Sequence, residues 1–125
     1  MQICLEQNYP KNLVSALQLI HKIDISNSNI QILWDKSLTE EDSKSTVVFL
    51  FDKGKRNLDF TTQEYFAKGF RVFAFKMATA EKINPFELSL TVLNLWRKVL
   101  SVIQDEQSPF VYTYGYKGFK LSKIK

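Results

Sequence analysis

Cysteine, histidine and glycine are scarce in this chain, and each scarcity removes a class of chemistry. With one Cys and one His among 125 residues, a structural zinc site assembled from several of both is excluded. The lone Cys4 rules out an intramolecular disulfide, and a reducing compartment is its natural setting. Apolar neighbours mark it as a core residue rather than a nucleophile. Four glycines build neither a Walker nor a dinucleotide fingerprint, and Gly115-Tyr116-Lys117-Gly118 matches neither pattern. No basic-then-apolar leader opens the sequence, and no apolar run reaches the length of a bilayer span. The longest, Phe86 to Ile103, is interrupted by Glu87, Asn94, Arg97 and Lys98. These absences predict a cytoplasmic protein with no membrane partner.

What is present fits one domain over residues 1–125, with a basic tail over 115–125. Ten Phe, five Tyr and two Trp predict an aromatic-rich core. The net charge of +4 hides an asymmetry. Residues 1–52 carry four Lys against seven acids, whereas residues 53–125 carry thirteen Lys and Arg against six acids. An acidic half beside a basic half suits a cation site next to a polyanion track.

The segments alternate in type. Met1 to Leu5 is a short apolar run. Leu13, Ala16, Leu17 and Ile20 then recur at helical spacing, with Pro10 in the first turn of that helix, where its missing N–H costs nothing. Asn27 to Asn29 breaks the chain before a strand over Ile30 to Trp34. Thr46 to Phe51 is β-branched and aromatic throughout, as a strand buried on both faces should be. Thr61 and Glu64 offer a capping box for a short helix that ends at Gly69. Arg71 to Phe75 is another strand. Asn84-Pro85-Phe86-Glu87 supplies cap, N1 proline and N3 acid for a helix running to about Ile103. Phe110 to Tyr114 is the last strand, and Lys117, Lys120, Lys123 and Lys125 follow it. The order β-α-β-β-α-β-α-β predicts an α/β fold with a small, mostly parallel sheet.

Ligands of such sheets bind beyond the carboxyl ends of the strands. Glu6, Asp35 and Asp52 follow the first three strands, Lys76 follows the fourth, and the short second connection adds Glu40, Glu41 and Asp42. Carboxylates gathered on one edge repel one another unless a cation intervenes, and oxygen ligands of this kind suit Mg²⁺ or Mn²⁺. A metal there would activate water for phosphodiester cleavage. Asp35 and Asp52 are equally the residue type favoured in turns after strands. His21, near the end of the first helix, is read as structural.

Leu5-Glu6-Gln7-Asn8-Tyr9-Pro10 and the helix after it resemble the opening of PIN-like toxin domains. Phe49-Leu50-Phe51-Asp52-Lys53 resembles the family's later acid-terminated strand, and Gly69-Phe70-Arg71-Val72-Phe73 resembles the strand that follows. Trp96 and Pro109-Phe110-Val111-Tyr112 resemble the closing helix and strand. The resemblance implies a PIN-like three-layer α/β/α domain acting as a Mg²⁺- or Mn²⁺-dependent endoribonuclease, the toxin of a toxin–antitoxin pair. It implies that Glu6, Asp42 (or Glu41) and Asp52 hold the metal. Asn8 would orient Glu6 or a water, and Lys53, Lys55 and Arg56 would meet the RNA backbone. A cognate antitoxin and a homodimer are the implied protein partners. Glu6 stands where the family has Asp, and the region of the family's middle acid is cut to Leu38–Ser43. Two alternatives follow: a catalytically degenerate module that binds RNA or a protein partner, and a receiver-like domain with Asp52 as phosphoacceptor.

Overall fold

The computed structural model describes residues 1–24, 29–77, 82–116 and 120–125. Asn27 of the expected chain break, and Lys117 and Gly118 of the expected tail, lie outside the described residues.

Strand β3 (Thr46–Asp52) is the centre of the fold, and all seven of its residues are buried. β1 (Gln2–Leu5) and β4 (Arg71–Lys76) flank it, both parallel to it. β2 (Gln31–Trp34) lies outside β1, and β5 (Val111–Tyr114) lies outside β4, again in parallel. A two-residue strand not anticipated from the sequence, β6 (Ser122–Lys123), adds antiparallel to β5. The chain is therefore α/β: the described residues form a mixed six-stranded sheet in the order β2-β1-β3-β4-β5-β6, three α-helices and one 3₁₀ turn. Among the described residues, no helix is long and apolar enough to cross a membrane.

The helices are α1 (Lys11–Ile23), α2 (Phe60–Ala67) and α3 (Pro85–Asp105). Pro10 is the N-cap of α1 rather than a first-turn residue. The start of α3 is as its sequence predicts: Asn84 Oδ1 accepts from the N–H groups of Phe86 and Glu87 at 3.0 and 3.1 Å. α2 departs from expectation, because its cap is Asp59 and not Thr61. Asp59 Oδ1 accepts from the Thr62 N–H at 2.9 Å, and a carboxylate at that position also meets the positive end of the helix dipole. Gly69, at φ 95°, takes the left-handed conformation expected after the last turn.

Alternation along β3 separates two apolar clusters. Val47, Phe49 and Phe51 face α1 and α3, packing with Leu13, Leu17, Leu88, Leu95 and Trp96. Val48 and Leu50 face the other way, toward Phe70, Tyr65 and Phe66 around α2. Phe49 stacks on Phe73 at 5.0 Å between ring centroids. His21 is buried and accepts a hydrogen bond from the Trp96 indole at 2.8 Å, tying α1 to α3. Arg71, also buried, donates to the carbonyls of Ile103 and Glu106 at 3.2 Å each, satisfying the open end of α3.

This sidedness has a topological cost. β1 to β2 runs toward one edge of the sheet through α1, while β4 to β5 runs toward the other edge through α3 on the same face. Those two crossovers are consequently of opposite hand, although parallel connections are almost uniformly right-handed.

Candidate site at the carboxyl edge

Because β1 feeds leftward and β3 rightward in this order, the sheet reverses its winding between their carboxyl ends. Such a switch point opens a crevice between the two outgoing chains. Glu6 and Asp52 stand on its two sides. The backbone continues the ladder past the strands: Glu6 N–H donates to Phe49 O at 3.1 Å, and Met77 N–H donates to Asp52 O at 2.9 Å.

Asp52 is fully buried, and both its oxygens are engaged. Oδ1 accepts from the Gly54 N–H at 2.8 Å and from Lys76 Nζ at 3.0 Å. Oδ2 accepts from the Asp59 N–H at 3.1 Å. Burial alone would raise this carboxyl. Hydrogen bonds from the Lys76 ammonium and the Asp59 and Gly54 N–H groups outweigh it, and Asp52 titrates below the usual carboxylate range. Lys76 Nζ also donates to the Asn57 carbonyl at 3.1 Å. Asp59 closes the loop from below, its Oδ2 accepting from the Lys53 N–H at 3.0 Å. Residues 53–59 are thus wrapped around a carboxylate and an ammonium.

Gly54 makes that wrap possible. A Cβ there would sit 2.0 Å from Asn57 O and 3.0 Å from Asp52 Oδ1, so only hydrogen fits.

Glu6 lies in a different environment. Asn8 Nδ2 donates to its Oε1 at 2.7 Å, the contact expected between these residues. Burial raises the Glu6 carboxyl above its ordinary value, against the lowering effects of Asn8, the Phe51 backbone and Lys53, while nearby Asp59 adds to the rise. Beneath it Tyr9 and Tyr114 are buried with their hydroxyls hydrogen-bonded to each other, and Tyr9 also donates to Leu50 O at 3.0 Å. Burial pushes both phenols well above the usual tyrosine range.

Glu41 and Asp42 are not at this edge, which corrects the expected ligand set. A parallel sheet requires the chain to return to the amino edge before β3 can begin. Residues 35–39 make that return, with Leu38 packed on the Val48 face. The acids then fall in a 3₁₀ turn over Glu40–Lys44, directly before β3. The length of β3 separates them from Asp52 by about 20 Å. Asp42 is instead a local cap, its Oδ2 accepting from the Thr39 N–H at 2.8 Å and hydroxyl at 3.2 Å. Asp35 is at the carboxyl edge, in a turn with φ 51°, a conformation Asp tolerates better than most residues.

Among the described residues, no three His, Cys, Asp or Glu side chains are grouped to hold a metal. The donors do not fit the implied Mg²⁺ or Mn²⁺: the middle acid lies at the other edge, and both Asp52 oxygens are already taken by the Lys76 ammonium and two backbone N–H groups. A phosphoacceptor role for Asp52 meets the same obstacle, since both its oxygens are engaged and the carboxylate is sealed from solvent. The chain matches no family model, no curated protein and no solved structure.

Lys53, Lys55 and Arg56 are all exposed on the loop above this carboxylate. Two contributors escaped the sequence reading: Asp59 and Gly54. The signal for Asp59 was present as Asp59-x-x-Thr62, an Asp three residues before a helical N–H, but the neighbouring Thr61–Glu64 pair offered the same pattern two residues later.

Proposed function

We propose that this chain is a non-catalytic RNA-binding module on a PIN-like, three-layer α/β/α scaffold with a mostly parallel sheet. The observation that carries the reading is the Lys76–Asp52 ion pair at 3.0 Å. An ammonium at that point neutralises the buried acid without a metal, so the positive charge of the loop around it is left unopposed. Lys53, Lys55 and Arg56 surround it on an exposed loop, a display of charge that meets a phosphate backbone. RNA is the partner proposed, and the cytoplasm is its setting. There the buried thiol of Cys4, pushed up by burial, remains an inert core group.

The test is fluorescence anisotropy with a labelled RNA oligomer at several salt concentrations, with and without EDTA. Binding should survive EDTA, and log K should fall against log salt with a slope of about −3 if four cations engage a single strand. Absence of binding at low salt would overturn the proposal. Mn²⁺-dependent cutting that EDTA abolishes, and that Asp52→Asn removes, would likewise overturn it.

A further inference from the structure

Beside the carboxyl edge, a groove of about 480 Å³ opens between the 53–59 loop, α2, the ends of β4 and β5, and residues 124–125. Arg56, Asn57, Gln63, Lys76, Thr113 and Lys125 supply its polar lining. Three of the six are cations; of the nearby carboxylates, Asp52 is sealed beneath Lys76 and Asp59 is taken up by the Lys53 and Thr62 N–H groups. Two of the cations are held in place. Lys76 is bonded to Asp52 and to the Asn57 carbonyl, and Lys125 Nζ sits 5.5 Å from the centre of the Phe66 ring, a cation–π distance. Gln63 is held by its bond to Leu58 O at 2.6 Å.

Phe60 is the first residue of α2 and is 78% exposed, far more than any core aromatic. It lies three positions before Gln63, so the two side chains share one helix face. The face of α2 that brings Gln63 to the basic groove therefore also carries an exposed aromatic ring. A Phe this exposed gains little from burial, yet its flat face is what an unstacked base meets. The volume of the groove suits a ligand the size of one nucleotide, and a paired base has no free face to offer.

We infer that this groove holds one unpaired nucleotide of a single strand, with its phosphate on Arg56 and Lys125 and its base against Phe60. The inference rests on the RNA-binding reading and adds the residue that selects unpaired bases. The probes are a labelled ten-residue oligouridylate, an abasic oligomer of the same length and charge, and a hairpin duplex. Wild type should bind the base-bearing strand at least about fivefold more tightly than the abasic one. Phe60→Ala should erase that ratio and leave abasic binding unchanged, while Arg56→Ala should weaken both strands alike. A ratio near one in wild type, or a ratio that survives Phe60→Ala, would overturn the inference and leave RNA binding standing. Failure of every oligomer to bind would overturn both.

Discussion

Replacing Lys76 by Met tests the reasoning about the carboxyl edge most directly. The substitution keeps most of the length of the side chain and removes the ammonium bonded to Asp52. Breaking a buried ion pair from one side costs about 3–5 kcal/mol, because the remaining charge is left uncompensated. Lys76 is 31% exposed, and Asp52 keeps two backbone N–H donors, so the lower end, about 3 kcal/mol, is expected. For a chain of this length that is a fall of roughly 10 °C in melting temperature. The sign of the pH dependence follows from the Asp52 shift. In wild type its carboxyl is held below the ordinary value, so its stabilisation is present above about pH 4 and is lost as pH falls through the folded value. Without Lys76, burial dominates and the carboxyl moves up, so acid relieves the variant. The gap between wild type and variant should be widest at pH 7 and shrink below about pH 4. Thermal melts followed by circular dichroism at pH 7 and pH 3.5 measure it. Asp52→Asn combined with Lys76→Met should lose less stability than Lys76→Met alone. Equal melting temperatures at pH 7, or a gap that does not narrow in acid, would refute the account.

Three further predictions concern neighbouring groups. Gly54→Ala should destabilise by about 2 kcal/mol or more, since its Cβ overlaps the Asn57 carbonyl and pushes on the Asp52 cradle; urea unfolding reads the loss, and a neutral result would show that the loop has another arrangement. Glu6 has a raised carboxyl, so the folded chain holds that proton more tightly and loses stability as pH rises through the window above the ordinary glutamate value. Glu6→Gln should therefore melt higher than wild type at pH 7 and show no advantage at pH 3.5. Asp42→Ala should leave RNA affinity unchanged, because its carboxylate belongs to the amino edge; a loss of more than about twofold in the anisotropy assay would contradict that placement.

The parts of the fold legible in the sequence are those encoded within a few residues. Asn84-Pro85-x-Glu87 marked the start of α3, Gly69 marked the end of α2, and the unbroken apolar run from Thr46 marked the buried central strand. Glu6 and Asp52 were placed at the carboxyl edge correctly, since position after a strand is enough to predict it. Glu41 and Asp42 were not: the parallel sheet the sequence predicts already requires residues just before β3 to lie at its amino edge, and the expected ligand set overlooked that return. Lys76 was read as the residue beyond a strand, but its pairing with Asp52 depends on the alignment of β3 with β4, which places those two residues opposite each other. That alignment is a property of the assembled sheet.

The short final strand has a consequence for solubility. β5 carries Val111, Tyr112 and Tyr114, and without β6 its outer row of N–H and C=O groups would be an open template for strand addition by another chain. Ser122 and Lys123 pair with Thr113 and Tyr112 along that row. Lys123 is anchored by Glu106 at 3.2 Å, the same carboxylate that accepts from the Tyr112 hydroxyl at 2.6 Å. That bond lowers the Glu106 carboxyl and, together with burial, pushes the Tyr112 phenol up to about 12. A lysine on the outermost strand is a standard deterrent to edge-to-edge association. Two residues and one shared carboxylate thus act as a gatekeeper against amyloid-like growth from the most aromatic margin of the sheet.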